Sequence, residues 1–434
     1  MSNIMIDKTN PAVGLRAVGP LLFSNVVWVH PTTAEIEAEM TGKGHLDARD
    51  GLMKAQTVAA YRAIEGALAA HGAGLDRVVH QRVRVRDLRD YANWRRVVRA
   101  NFPGLDPATA IHGEGAGMPP GIDVSVEIVA VPDPALEIER ISPAAAGAAC
   151  DPFVPAIRCG QFVFTSALNP VTPSGEVVTE FAQLDDGAAA AFPEFAGLGA
   201  QGGLEQRHAA QMLATYANLD RVLAAADSSV DGLLKHNGYV RMSMKAYTAM
   251  EAARRLHFGD RQAPPATTVT VHDLGIDPEV DLTFDVIALA DGPLRREPVD
   301  LSALTAPYGF YMLAARAGQV MFTAGELPYV KGLGGDPRGG ALGTWDEDPG
   351  YGLPLQTRAV VGRLREILEH SGAGTAGLRR LGLSLRDRSH LTAWERLALA
   401  ELPGADPIVV ETSTEDAGPY PTCLFELDSV AELP

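Results

Sequence analysis

The feature that most constrains this chain is that it repeats itself. Three segments read alike: V-G-P-L-L-F-S-N-V at 18–26, C-G-Q-F-V-F-T-S-A at 159–167 and A-G-Q-V-M-F-T-A-G at 317–325. In each, a glycine precedes an apolar run that ends in small residues, the pattern of a hairpin leading into a buried strand. Each is followed by a loop and then an amphipathic helix. In the first copy, residues 51–72, Leu52, Val58, Tyr61, Ile64 and Leu68 build one apolar face, and Gly72 and Gly74 supply the stop. Residues 206–226 and 356–372 repeat the pattern.

After each helix comes a strand (Val78–Val85, Leu233–Met242, Leu378–Leu385), then a second helix (Tyr91–Phe102, Tyr247–Phe258, Leu391–Leu402). Each copy closes on a last strand that carries an acid: Val124–Val131 with Glu127, Leu282–Leu289 with Asp285, and Cys423–Leu427 with Glu426. The spacing Asn25 to Glu127 is 102 residues, the same as Ala324 to Glu426, which sets these two acids in one register. Ser166 to Asp285 is 119 residues, because copy two carries a longer loop over 172–205. Pro and Gly at Pro132–Pro134, Asp291–Pro293 and Pro298 mark linkers. The chain therefore divides into domains 1–140, 141–296 and 297–434. Each is a β-β-α-β-α-β unit of the α+β class, and three sheets packed face inward would close a pseudo-trimer within one chain.

Length agrees, since 434 residues exceed one ordinary core. The net charge of -17 works against nucleic-acid binding, which needs a basic surface. The densest basic run, from His80 through Arg82, Arg84 and Arg86, alternates as one strand face does, so a solvated or inter-domain face is expected there. Three cysteines, Cys150, Cys159 and Cys423, form no C-x-x-C pair and suit a reducing, cytoplasmic setting. No signal peptide is visible, and no apolar run reaches the ~18–20 residues that span a bilayer. The Gly-rich run from Lys331 to Gly340, before Trp345, lacks the Gly-Lys-Ser/Thr ending of a phosphate loop and reads as a surface insertion or lid. His112 and Glu114 could form a metal pair, but two ligands in a turn are weak evidence for a site. No metal and no cofactor are expected.

The order of elements, and the phrases that mark it, resemble the RidA/YjgF family, also called L-PSP proteins. The likeness runs through Asp151-Pro-Phe153 and Gly160–Ala167 in copy two, Gly309-Phe-Tyr311 and Phe322–Gly325 in copy three, and Asp87–Tyr91 with Val126-Glu127-Ile128 in copy one. The resemblance implies a chorismate-mutase-like α+β fold, pockets where copies meet, and hydrolysis of imino or enamino acids to keto acids and ammonia. It also implies that the last-strand acids Glu426, Glu127 and Asp285 position water, and that Tyr311, Thr323, Gly325, Phe153, Thr165 and Ser166 line the pockets.

The chain departs from the family at the Arg of its "P-A-R" phrase, which holds the substrate carboxylate. Thr109, Thr267 and Val409 stand there, and none can pair with a carboxylate as a guanidinium does. Either the substrate lacks that carboxylate or another arginine, Arg95 or Arg158, supplies the charge. Three readings follow. The leading one is a cofactor-independent hydrolase or deaminase acting on a C–N or C=N bond of a small molecule, in a pocket using Tyr311, Thr323, Gly325 and Glu426. The second is a non-catalytic small-molecule-binding or scaffold protein. The third is a hydrolase of the chorismatase type. Pairing of two chains into a homo-dimer stays open.

Overall fold

In the computed structural model, the described residues are 12–40, 45–143, 147–150, 152–184, 192, 203–241, 247–274, 277–304, 307, 309–328, 349–414 and 423–434. The Gly-rich run 331–340, the Trp345 loop and the middle of the 172–205 insertion lie outside them.

The first repeat runs β1 (Leu15–Val18), β2 (Leu21–Ser24), α1 (Thr33–Glu39), α2 (His45–Ala69), β3 (Val78–Val85), α3 (Tyr91–Asn101), β4 (Ala108–Gly113) and β5 (Val124–Ala130). The second runs β6 (Ile138–Ile141), α4 (Gly147–Cys150), β7 (Ala156–Cys159), β8 (Phe162–Thr165), α5 (Gly203–Ala225), β9 (Ser228–Arg241), α6 (Tyr247–Phe258), β10 (Ala266–Val271), β11 (Asp273–Leu274) and β12 (Leu282–Ala290). The third runs β13 (Glu297–Pro298), β14 (Ala314–Ala317), β15 (Val320–Thr323), α7 (Pro349–Ser371), β16 (Leu378–Leu385), α8 (Leu391–Glu401), β17 (Ile408–Ser413) and β18 (Phe425–Glu432).

Each repeat adds one strand to the expected order: β4, β10 or β17. The phrases without the Arg lie on these strands. They read A-T-A-I-H-G, A-T-T-V-T-V and I-V-V-E-T-S, with no simple apolar–polar alternation to announce them. The resulting sheets share one order: β1-β2-β5-β3-β4, β7-β8-β12-β9-β10 and β14-β15-β18-β16-β17. Neighbours are antiparallel except the last pair in each, which is parallel. Extra edge strands complete six per sheet. β6 and β13 lead into the second and third sheets, and β11 of the second repeat pairs with β4 of the first.

The repeated glycine has a backbone reason. Gly19, Gly160 and Gly318 turn the first hairpin of each sheet at φ of 54°, 57° and 57°, the left-handed region where a Cβ is penalised.

Each sheet buries one face under its own helices. Tyr61, Ile64, Leu68 and Trp94 do so in the first repeat, Tyr216, Leu219 and Phe258 in the second, and Val360, Leu364 and Trp394 in the third. The other faces meet in one core shared by all three sheets, centred on Phe23, Phe164 and Phe322. Those three phenylalanines sit at the same register, opposite Val129, Ile287 and Val430 of the last strands. Among the described residues no helix is long and apolar enough to cross a membrane.

Candidate functional site

Register decides which acids are equivalent. Glu127 stands opposite Arg82 on β3, Asp285 opposite Asn237 on β9, and Asp428 opposite Gly382 on β16. The counterpart of Glu127 in the third repeat is therefore Asp428. Glu426, expected there from equal spacing, occupies the position of Ser125, since Ser384 faces Glu426 as Arg84 faces Ser125. The third repeat holds two more residues between its second and last strands, and its last strand runs on to Glu432. In the same way Thr267 stands one step beyond Thr109 and Val409. It pairs with Asn237, whereas those two pair with Gln81 and Leu381.

The three equivalent acids form a closed ring with basic residues from neighbouring repeats. Arg380 of the third repeat reaches Glu127 of the first at 2.7 Å. His80 of the first stands 3.6 Å from Asp285 of the second, and Lys235 of the second lies 3.0 Å from Asp428 of the third. These three basic residues share one register position. Further contacts tighten the ring. Arg84 bonds Glu127 at 3.0 Å and Arg82 pairs with Asp285 at 3.1 Å. Asn237 and the Tyr239 hydroxyl donate to Asp285 at 2.9 and 2.8 Å. Arg380 and the Thr267 hydroxyl reach Asp428 at 3.1 and 2.8 Å.

Burial alone would push these carboxyls up, but the cations outweigh it. Arg380, Arg82 and Arg84 hold Glu127 well below the usual carboxylate range. Arg82 and His80 lower Asp285, and Lys235 and Arg380 lower Asp428. Burial drives His80 down to about 4, so its imidazole is neutral near pH 7. The basic run seen in the sequence thus places Arg82 and Arg84 on an inter-repeat face, buried among acids.

A different environment lies where the second and third repeats meet. There the Gly325 N–H donates to Ala266 O at 2.9 Å, and the Glu426 carboxyl lies directly against the Gly325 α-carbon, in space a Cβ would occupy. Glu426 is 5% exposed, and its Oε2 has no hydrogen bond. Burial, then the charge of Asp428, pushes its pKa up to about 8, against the opposing pull of Lys235 and the Thr268 N–H. Tyr311 lies close enough for the Glu426 charge to act on its hydroxyl. Burial raises its hydroxyl, and Tyr247, Glu326 and Glu426 add to the effect. Glu326 pairs with Arg363, yet burial still raises its pKa.

The other expected pocket residues have structural partners. The hydroxyls of Thr165 and Thr323 accept from Val286 N–H and Ser429 N–H of the last strands, both at 2.9 Å, as Ser24 does from Ile128 at 2.8 Å. Ser166 bridges the first seam, accepting from Thr109 N–H at 2.7 Å and donating to Val154 O at 2.6 Å. Phe153 packs against Tyr91 and Trp94 of the first repeat, and Arg95 donates to Pro152 O at 3.2 Å beside it. Arg158 pairs with Glu139 and Asp227 near the surface, so it is not the cation that replaces the missing Arg in the Glu426 cleft. His112 stacks on Tyr239 at 4.9 Å and lies 3.6 Å from Glu114, which also pairs with Arg84. Among the described residues no group of His, Cys, Asp and Glu is arranged to hold a metal. The residues missed by sequence reasoning are Asp428, Lys235 and Arg380. Their signal was the alternation Lys235-x-Asn237-x-Tyr239 and Arg380-x-Gly382-x-Ser384, which matches His80-x-Arg82-x-Arg84.

Residues 36–132 and 194–290, within the first and second repeats, each match the family model described as Endoribonuclease L-PSP. No curated protein matches the sequence significantly. Among solved structures, a chorismatase is similar over 82% of this chain and 93% of its own, at 12% identity and a TM-score of 0.48. The YjgF gene product of E. coli is similar over 35% of this chain and 99% of its own, at 22% identity and a TM-score of 0.26.

Proposed function

We propose, for a chain built from L-PSP (Rid) family domains, a cofactor-independent hydrolase or deaminase that acts on a C–N or C=N bond of a small molecule. Its site is the cleft between the second and third repeats. The observation that carries this reading is Glu426: a buried carboxyl with a pKa raised to about 8, one oxygen without a partner, set against a bare glycine. Such a group is protonated at pH 7 and can donate to nitrogen.

In the chemistry proposed, the Glu426 carboxylic acid protonates an imine nitrogen. Water then adds to the electrophilic carbon, and the Glu426 carboxylate takes the proton that the water releases. The carbinolamine collapses with loss of ammonia, so that one imine and one water give one carbonyl compound and one ammonia. In this reading the Tyr311 hydroxyl orients the substrate. Glu127 and Asp285, first expected to activate water, take no proton-transfer role in this reading, because each is held ionised by its arginines. Thr109, Thr267 and Val409 offer no guanidinium for a substrate carboxylate, which favours imines of uncharged amines.

The test is ammonia release from freshly generated imines with and without a carboxylate, by the full chain and by Glu426→Gln. Turnover of the uncharged imine that falls at least a hundredfold in the variant is the expected result. Full turnover in Glu426→Gln removes the acid from the mechanism. A second reading, a non-catalytic small-molecule-binding protein, is favoured by the locking of all three equivalent acids in ion pairs. It predicts saturable binding with no product.

A further inference from the structure

The third repeat is small where the other two are large. At the register of Arg82 and Asn237 it has Gly382, and at that of Arg84 and Tyr239 it has Ser384. The volume these side chains leave is a cavity on the axis where the three sheets meet. Its volume is 40 Å³, and Arg82, Arg84, His112, Tyr239, Ser384 and Thr412 are among the residues that line it. Every repeat contributes, so the cavity exists only in the assembled chain.

The cavity walls carry hydrogen-bond donors without acceptors. Arg82 Nε and Arg84 Nη1 are buried and make no hydrogen bond. Buried donors left this way are costly, most of all when charged, unless something meets them. Toward the ends of the same strands lies a second, wider pocket of 360 Å³, the vestibule. It is lined by Thr270 of β10 and His272 just after it, Ser413 and Thr414 at the end of β17, and Arg386 and Arg388 after β16. The Arg84–Glu114 pair, at 3.2 Å, stands between the two.

Charge decides what kind of group completes the cavity. Four cations, Arg82, Arg84, Lys235 and Arg380, face four acids, Glu114, Glu127, Asp285 and Asp428. His80 and His112 are neutral neighbours, because burial lowers both. The ring is balanced without a ligand. A fifth carboxylate would be a buried charge with no cation of its own, at a cost of several kcal/mol. An uncharged oxygen satisfies the donors without upsetting the balance.

We infer that the axial cavity and its vestibule form a second small-molecule site, which takes an uncharged carbonyl head, of the amide or lactam class, on Arg82 and Arg84, with the polar body of the ligand in the vestibule. Ser384 of the cavity wall faces Glu426 across β16 and β18, but the inference does not depend on any chemistry at Glu426.

The test titrates the full chain with acetamide, acetate and methylammonium, followed by saturation-transfer NMR. Acetamide should bind saturably and at least tenfold more tightly than acetate or methylammonium. Ser384→Leu, which fills the cavity, should weaken it at least tenfold, whereas Ser384→Ala and Glu426→Gln should retain it. Thr412→Val, which keeps the shape and removes one hydroxyl partner of Arg84, guards against misfolding of the larger variant. It should change acetamide affinity by at least threefold. The inference is overturned if acetamide does not bind, so that water alone fills the cavity. It is equally overturned if acetate binds as tightly as acetamide, or if folded Ser384→Leu and Thr412→Val both bind acetamide as the parent does.

Discussion

Asp428 and Glu426 lie two residues apart on the same strand, both buried, and their protons behave in opposite ways. Asp428 meets Lys235 at 3.0 Å and Arg380 at 3.1 Å and is held ionised. Glu426 meets a glycine α-carbon and a backbone N–H, feels Asp428 as a like charge, and is pushed up to about 8. Burial acts on both; what differs is whether a cation from the next repeat arrives. The same fold thus builds an inert ionic ring at the axis and a proton-bearing carboxyl in a cleft, and the choice lies in single neighbours rather than in the strand.

Removing one cation should break the comparison most severely. Arg380→Met strips both Glu127 and Asp428 of a partner in a buried site, and about 3–5 kcal/mol of stability should be lost, read from denaturant unfolding. A loss under ~1 kcal/mol would mean that the ring is not a structural lock.

The next test follows pH. The folded pKa of Glu426 lies above the ~4.3 of an unfolded glutamate, so the folded state binds its proton more tightly. Its contribution is intact below about pH 4 and is lost as pH rises toward 8. Glu127, Asp285 and Asp428 have the opposite sign: their contribution is present above the unfolded value near 4 and lost as pH falls through their lowered folded values. Glu426→Gln should therefore match the parent at pH 4 and exceed it by on the order of 5 kcal/mol near pH 9, in paired melting curves. Parallel curves for the two proteins would refute the raised pKa.

Gly325→Ala sharpens the cleft side of the comparison. The added methyl occupies the place of the Glu426 carboxyl, and overpacking should cost about 1–2 kcal/mol in thermal unfolding and lower any turnover. The smallest effect belongs to the surface. Arg158→Ala removes pairs with Glu139 and Asp227 that face solvent, and the change should stay within ~1 kcal/mol and shrink further in salt.

Much of the fold was legible along the chain because it depends on local pattern. Val78–Val85 and Leu378–Leu385 are strands as expected, and Tyr247–Phe258 is a helix over those same residues. The glycine that opens each hairpin is explained by its φ. The strands β4, β10 and β17 were less legible, since they are short and lack alternation. The site was legible only in its residue types. The last-strand acids and the alternating basic strand were visible, but equal spacing pointed to Glu426 as the partner of Glu127, and two extra residues in the third repeat make it Asp428.

The sequence by itself determined that three like units follow one another, with strands, helices, hairpin glycines and buried acids at repeating positions, because those follow from local propensity and periodicity. Only the tertiary structure decided what each acid meets. Arg380 and Glu127 are 253 residues apart in the chain and 2.7 Å apart in space. A carboxyl buried at an interface takes its charge state from neighbours that the packing of other repeats delivers, and no local pattern encodes that.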